Sequence, residues 1–309
     1  MADRTIRSVL PTRPWSAVSR RQRDWLWALL FVGPQLLGLL AFALFPLAFG
    51  FALSLMEWDG LGTREWVGLA NFRDQLGSPE LRTAFRNTLY YTLLTVPTGL
   101  GLALLVALGV NKVRGRTIYR ALYFAPVITS SVAVSVVWQY LLNGDFGILN
   151  AYLRDWFGVN PPNWLADTRF VMPAIALVSV WWNLGLNVVI LLAGLQNIPR
   201  TLEEAALVDG ASRFHVLRDI TLPLLTPTIF FAIVVAIIFS FQTFDQIFVL
   251  TNGGPLDASR TLVFHVYDLA FRDFAFGQSS AAAVFLFVTI LAVTLLQFAA
   301  QRRWVHDQA

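Results

Sequence analysis

The sequence predicts an all-α integral membrane protein with six transmembrane helices, and three observations carry that prediction. Of the 309 residues, 56% are hydrophobic and 14% charged, against about 25% charged in a soluble domain. The charges are segregated, which leaves charge-free runs at Trp25–Met56, Asn87–Asn111, Ala121–Gly144, Phe170–Pro199, Ile220–Phe244 and Phe274–Gln301. Each run exceeds the roughly 20 residues that an α-helix needs to cross the hydrocarbon core. A spanning segment must satisfy its own backbone hydrogen bonds in lipid, so each run is read as a helix.

Residues 1–24 form a polar N-terminal segment. With the apolar run that follows they resemble a signal peptide, but that run is far longer than a 7–15-residue h-region, which predicts an uncleaved anchor. Pro34 and Pro46 are expected to kink the long first span or mark its ends. Pro97, Pro126 and Pro173 lie in later spans, where neighbouring groups can satisfy the freed carbonyls. The second span carries a stripe of Thr88, Thr92 and Thr95, and the third a stripe of Ser131, Ser135 and Gln139. Such hydroxyl stripes commonly join helices in membranes. In the fourth span Asn183 and Asn187 are spaced i,i+4 and share a face near Gly185. The fifth carries Ser240 and Thr243 at i,i+3, with Gln242 beside them and Asp245 further on. The transmembrane domain covers 25–301, and residues 302–309 form a short tail.

The longest connections, Glu57–Arg86, Asp145–Arg169 and Thr251–Asp273, are too short to fold as independent cores. Trp58, Trp66, Trp156 and Trp164 lie near span ends, as interfacial anchors do. Docking of an extracytoplasmic protein on these loops is the alternative reading.

Basic residues orient the chain. Arg4, Arg7, Arg13, Arg20, Arg21, Arg23, Lys112, Arg114, Arg116, Arg120, Arg200, Arg213, Arg218, Arg302 and Arg303 fall on one side, 15 of the 23 in all. The longer loops of the other side carry only eight. By the positive-inside rule both termini and the loop around 199–223 are cytoplasmic. These arginines flank spans and are not interleaved with aromatics on a soluble face, so nucleic acid is not a partner.

The absence of cysteine excludes disulfides and thiolate chemistry. His215, His265 and His306 lie in separate loops without metal-ligand spacing, so no metal site is expected and each is read as solvated or capping. Lys112 is the only lysine and is not in a phosphate-binding GxxxxGK[ST] loop.

The loop between the fourth and fifth spans is polar and helix-forming. Pro199 and Arg200 open it, and Thr201 and Glu204 have capping-box spacing. Ala205, Ala206 and Leu207 favour helix, and Gly210 breaks it. Ser212 is placed to cap a second short helix through Arg218, before Pro223 opens the next span. Glu204-Ala205-Ala206, then Asp209-Gly210, then after nine residues Ile220 and Leu222-Pro223, resembles the signature loop of permease subunits in binding-protein-dependent ABC importers. The resemblance implies that Glu203, Glu204, Ala205, Ala206, Asp209, Gly210, Ile220, Leu222 and Pro223 form a knob that docks on a cytoplasmic ATPase. It also implies two ATPase subunits that carry ATP and Mg, a second non-identical permease and an extracytoplasmic substrate-binding protein. This chain would hold no cofactor itself.

Polar side chains inside spans are costly and mark cavities or helix contacts. Asn183, Asn187, Ser240 and Thr243, flanked by Trp181, Trp182, Phe239, Phe241 and Phe244, suit a sugar, whose hydroxyls take hydrogen bonds and whose C–H faces pack on rings. The segments Trp182–Gly185, Gly194–Pro199 and Phe244–Pro255 are similar to those of maltose-type carbohydrate permeases. That likeness places sugar contacts near Leu184, Gly185, Val188, Phe239, Ser240 and Thr243. Val188 stands where the maltose-type pattern has tyrosine.

These readings converge on one permease subunit of an ATP-driven sugar importer in a bacterial or archaeal cytoplasmic membrane. An importer for a non-sugar solute shares the same loop. An ion-coupled transporter would instead use an intramembrane carboxylate, for which Asp245 is the candidate, although a structural hydrogen-bonded role fits its place near a span end. A membrane-embedded transferase would need clustered Asp, Glu or His, and none is seen.

Overall fold

The computed structural model of the protein describes residues 20–111 and 116–301, with side chains except at 116–121. Arg4, Arg7, Arg13, Lys112, Arg114, Arg302, Arg303 and His306, and with them most of the 1–24 segment and the 302–309 tail, lie outside the described residues. The chain divides into two compact units, Met1–Ala52 and Leu53–Ala309.

In the first unit, and ending at the first residue of the second, α1 (Arg20–Leu39) and α2 (Phe45–Leu53) are joined by a π-helical turn, Leu40–Leu44, into one apolar helix, Arg20–Leu53. The wider turn ends just before Pro46, whose ring and missing N–H would disturb a regular preceding turn. Pro34 and Pro46 therefore neither end nor break this span.

The second unit opens with a two-stranded antiparallel ribbon, β1 (Met56–Glu57) and β2 (Glu65–Trp66), in which Met56 pairs with Trp66. The short helix α3 (Ala70–Gly77) follows, and Asn71 donates from its amide to the Ser54 and Met56 carbonyls, tying α3 to the ribbon. Next come α4 (Pro79–Asn111), α5 (Arg116–Ile128), α6 (Ser131–Leu141), α7 (Ile148–Phe157) and α8 (Val171–Asn197). The loop helices α9 (Arg200–Val208) and α10 (Arg213–Val216) precede α11 (Leu222–Phe241), and α12 (Asp245–Leu250), α13 (Leu262–Phe271) and α14 (Phe276–Gln301) complete the chain.

Among the described residues, five unbroken helices are long and apolar enough to span: Arg20–Leu53, Pro79–Asn111, Val171–Asn197, Arg213–Phe241 and Phe276–Gln301. The third predicted span is not a single rod. It is the pair α5 and α6, bent by 106°. Pro126 removes a donor one turn before the bend, and Ser130 takes an extended conformation at the α6 N-cap. The carbonyl of Thr129, left outside the helix ladder, accepts from the Trp182 indole at 3.3 Å.

The helices α4 and α8 form the centre of the second unit. Gly99, Ala103 and Ala107 are spaced by four on α4, so small side chains line one face and the backbones approach closely. Ala103 and Ala107 pack with Val188, Leu191, Leu192 and Leu195 of α8 and Leu225 of α11. A second cluster joins Tyr91, Val134, Val171, Ile175, Val178, Ile247 and Phe264. Trp164 is half-buried, packs against that second cluster and donates to Asn150 at 2.6 Å. Trp66 and Trp156 are exposed.

The segment between the fifth and sixth spans holds a buried charge network. Asp268 bridges Arg260 at 2.9 Å and Arg272 at 3.0 Å. His265, expected to be solvated or capping, is instead buried beside the network and pairs through Nε2 with Gln75 at 2.9 Å. Burial, reinforced by Arg260, holds the His265 imidazole down at about 4. Its contribution to stability is thus complete above about pH 6.5, where the unfolded chain is also neutral, and is lost as pH falls towards 4. The slope within that window approaches about 1.4 kcal/mol per pH unit for one proton. Burial raises the Asp268 carboxyl, an effect of opposite sign, so the comparison must be made against a variant. The detergent-solubilised protein is expected to lose thermal stability between pH 6.5 and 5 more steeply than His265→Gln does; parallel curves would refute this.

Candidate functional site

Two features stand out, one at each end of a single helix. The first is the loop after α8. Helix α9 starts at Arg200 with Pro199 as its N-cap and no side-chain cap. Thr201 is therefore already inside the first turn, and the Thr201–Glu204 capping box does not form. The other end closes with two backbone bonds, Gly210 N–H to the Leu207 carbonyl at 3.2 Å and Ala211 N–H to the Ala206 carbonyl at 2.9 Å. This is the Schellman arrangement, and it puts Gly210 at φ +89°, a conformation that side-chain-bearing residues resist.

Ser212 then caps α10, accepting from the His215 N–H, while its hydroxyl pairs with the His215 ring at 2.7 Å. The second helix does not stop at Arg218. A π-helical turn, Leu217–Thr221, carries α10 into α11 without interruption, so Arg213–Phe241 is one helix and Pro223 lies within it. As in the first span, the wide turn ends just before the proline. Ile220, Leu222 and Pro223 belong to this continuous helix and are half-buried.

Thr221 donates to the Glu203 carboxylate at 3.2 Å, which clamps α9 against the π turn. Of the two glutamates, Glu203 thus holds the hairpin together, whereas Glu204, Ala205 and Asp209 face outward and Ala206 is half-buried. The outward surface is also apolar. Val208 is 88% exposed, and Leu202, Leu207 and Phe214 are exposed beside it.

The second feature is a cavity of about 360 Å³ among α4, α8, α11 and the start of α12. That volume falls within the roughly 300–1,000 Å³ of small-molecule sites. Tyr91, Thr95, Ser131, Ser179, Asn183, Asn187, Ser240, Gln242, Thr243 and Gln246 supply its uncharged polar surface, and Trp182, Phe239 and Phe244 its rings. The Tyr91 hydroxyl lies 2.7 Å from Ser179 Oγ and accepts from Thr243 at 3.4 Å, and Ser179 also bonds Gln246. One wall of the cavity is therefore pinned by a network joining three segments. Asn183 donates to the Ser179 carbonyl at 3.0 Å.

Of the residues marked for a substrate path, Asn183, Asn187, Phe239, Ser240 and Thr243 line this cavity. Leu184, Gly185 and Val188 are not among its described lining. Leu184 and Val188 pack in the core between α4, α8 and α11. At Gly185 a Cβ would collide with the backbone at Tyr123 and Phe124, so glycine there permits α5 to cross α8 closely. Ser240 is both lining and adhesive, since its hydroxyl lies 2.9 Å from that of Thr92. Of the other stripe residues, Thr95 and Ser131 also line the cavity, whereas Thr88 accepts from the Leu262 N–H and Gln139 donates to the Val249 carbonyl, joining helices. Asp245 opens α12, is exposed and lines the cavity; no hydrogen bond ties its carboxylate to the described residues.

An apolar-tipped hairpin continuous with a cavity-lining helix can be compared with known proteins. The family described as the binding-protein-dependent transport system inner membrane component matches residues 96–306. The chain belongs to that family. A Bacillus subtilis relative named "Probable ABC transporter permease protein YesP" is 35% identical, covering 93% of this chain and 94% of its own. An sn-glycerol-3-phosphate transport system permease protein, UgpA, of Agrobacterium fabrum is 34% identical over 90% of this chain and 95% of its own. A crystal structure of a bacterial ABC transporter involved in import of the acidic polysaccharide alginate contains a similar chain, with TM-score 0.81 and 25% identity, covering 92% of this chain and 97% of that one. This permease is therefore a multi-pass membrane subunit of an ABC transporter. The hairpin lies within the matched stretch, as do all the residues named above for the cavity's polar surface and rings except Tyr91 and Thr95, which precede it.

Proposed function

We propose that the chain is one of two non-identical permease subunits of an ATP-driven importer for a polyhydroxylated solute: a sugar, oligosaccharide, glycoside or related polyol. A substrate-binding protein outside the membrane delivers the solute. Two ATPase subunits bind ATP and Mg on the cytoplasmic side, where the loop around 199–223 and both termini lie in this reading. The observation that carries it is the continuous helix Arg213–Phe241, which begins at the hairpin and ends at Phe239 and Ser240 in the cavity wall. At 1.5 Å per residue it reaches about 40 Å, so a push at one end is felt at the other.

In this mechanism Glu204, Val208 and Asp209 seat the hairpin in a groove of an ATPase, with Gly210 setting its shape. Closure of the ATPases moves the hairpin, and rocking of the two permeases exposes the cavity alternately to each side. Amides and hydroxyls hold the solute by hydrogen bonds, and Trp182, Phe239 and Phe244 pack on its C–H faces. The solutes named for the relatives, sn-glycerol-3-phosphate and alginate, are both polyhydroxylated, which supports this class. The test is uptake into vesicles containing the reconstituted complex and its loaded binding protein. Uptake is expected only with ATP on the hairpin side, and uptake driven by an ion gradient without ATP would overturn the proposal.

A further inference from the structure

We propose that Asp245 makes the cavity selective by charge, so that the solute it passes is a neutral or amino-bearing glycan and not a phosphorylated or carboxylated one. The inference rests on the reading of the cavity as the substrate path. Among the described residues that line the cavity, Asp245 is the one charged side chain; the rest are amides, hydroxyls, rings and aliphatic groups. An anion site of this size ordinarily presents arginine or lysine to the solute, and the described lining presents neither. The arginines of the following segment are engaged elsewhere, Arg260 with Asp257 and Asp268, and Arg272 with Asp268. They are thus held by other carboxylates, while that of Asp245 has no ion-pair partner among the described residues.

A fixed negative charge at the wall of a half-enclosed cavity acts on whatever enters. At a separation of about 6 Å and an effective dielectric of 20–40, a like charge is disfavoured on the order of 10–100-fold and an ammonium is favoured to the same degree. Neutral hydroxyls are indifferent to it and keep their hydrogen bonds. The preference is opposite to what the anionic solutes named for two relatives would require of their own permeases.

The absence of cysteine permits a direct reading of this field. Gln242 lines the cavity three positions before Asp245 and is exposed. In the intact complex, Gln242→Cys is treated with a trimethylammonium-bearing and a sulfonate-bearing methanethiosulfonate, and modification of this chain is followed by mass spectrometry. Rates are divided by those of a free thiol, so changes in thiol reactivity cancel in the ratio. The cation is expected to react at least about tenfold faster than the anion, and adding Asp245→Asn should bring the ratio close to one. A ratio near one in the parent, or a preference that persists in Asp245→Asn, overturns the charge selection but leaves the path. Failure of both reagents on the folded complex, with normal reaction after denaturation, overturns the path itself. A sugar phosphate or uronate as the ligand of the system's binding protein overturns the charge selection alone.

Discussion

Leucine at Gly210 is expected to cut ATP-driven uptake tenfold or more while leaving the chain in the membrane. Nothing lies within 4 Å of an added Cβ there, so the effect comes through the backbone. A residue with a side chain resists φ +89°, at a cost of about 1–2 kcal/mol, and relaxing it would undo the Schellman closure that sets the angle between α9 and α10. Glu204→Lys should give the same phenotype by another route, since it reverses a charge on the outward face without touching the fold. Glu203→Gln makes the contrast: its amide oxygen can still accept from Thr221, so the hairpin and much of the activity should persist. Membrane content, ATPase binding and uptake, measured together, separate these cases. Normal solute-stimulated uptake by both Gly210→Leu and Glu204→Lys would remove the coupling role.

The second large effect is expected at Asn183. It lines the cavity, and among the described residues only its amide nitrogen is engaged. Asn183→Leu removes the carbonyl available to a solute hydroxyl and leaves that hydroxyl unpaired, which costs about 1–3 kcal/mol, so uptake should fall about tenfold or more. Assembly and basal ATPase activity should survive. Ser240→Ala acts differently, because Ser240 also pairs with Thr92 between α4 and α11. Its variant should lose both uptake and thermal stability. Intact uptake in Asn183→Leu, with a poorly assembled complex, would make these polar residues helix adhesive and nothing more.

Much of this was legible because burial in lipid leaves a strong mark on sequence. Charge-free runs located the spans, and helical spacing put Asn183 and Asn187 on one face. Gly210 and Ser212 announced the hairpin through local backbone chemistry that does not depend on distant contacts. What could not be read depended on residues far apart in the chain. A charge-free run shows that a segment is apolar but not its direction, so the 106° bend between α5 and α6 was hidden although Pro126 was in view. The Thr201–Glu204 pattern was present, but the helix starts at Arg200, and a cap motif works only at the boundary. Val188 was assigned to the path by likeness alone, and packing against α4 and α11 decides its place. The pairing of His265 with Gln75 joins segments 190 residues apart, beyond any local signal.

The central claim is that the hairpin between α8 and α11 is the seat of a separate ATPase. Val208 is the most direct probe, being an apolar side chain that is 88% exposed at the hairpin tip. A photo-reactive residue at position 208, activated in native membranes, is predicted to yield one main adduct, with a cytoplasmic ATPase subunit of the same transporter, and a weaker one when Gly210→Leu is added. Adducts with lipid alone, or with a protein on the extracytoplasmic side, would contradict the account.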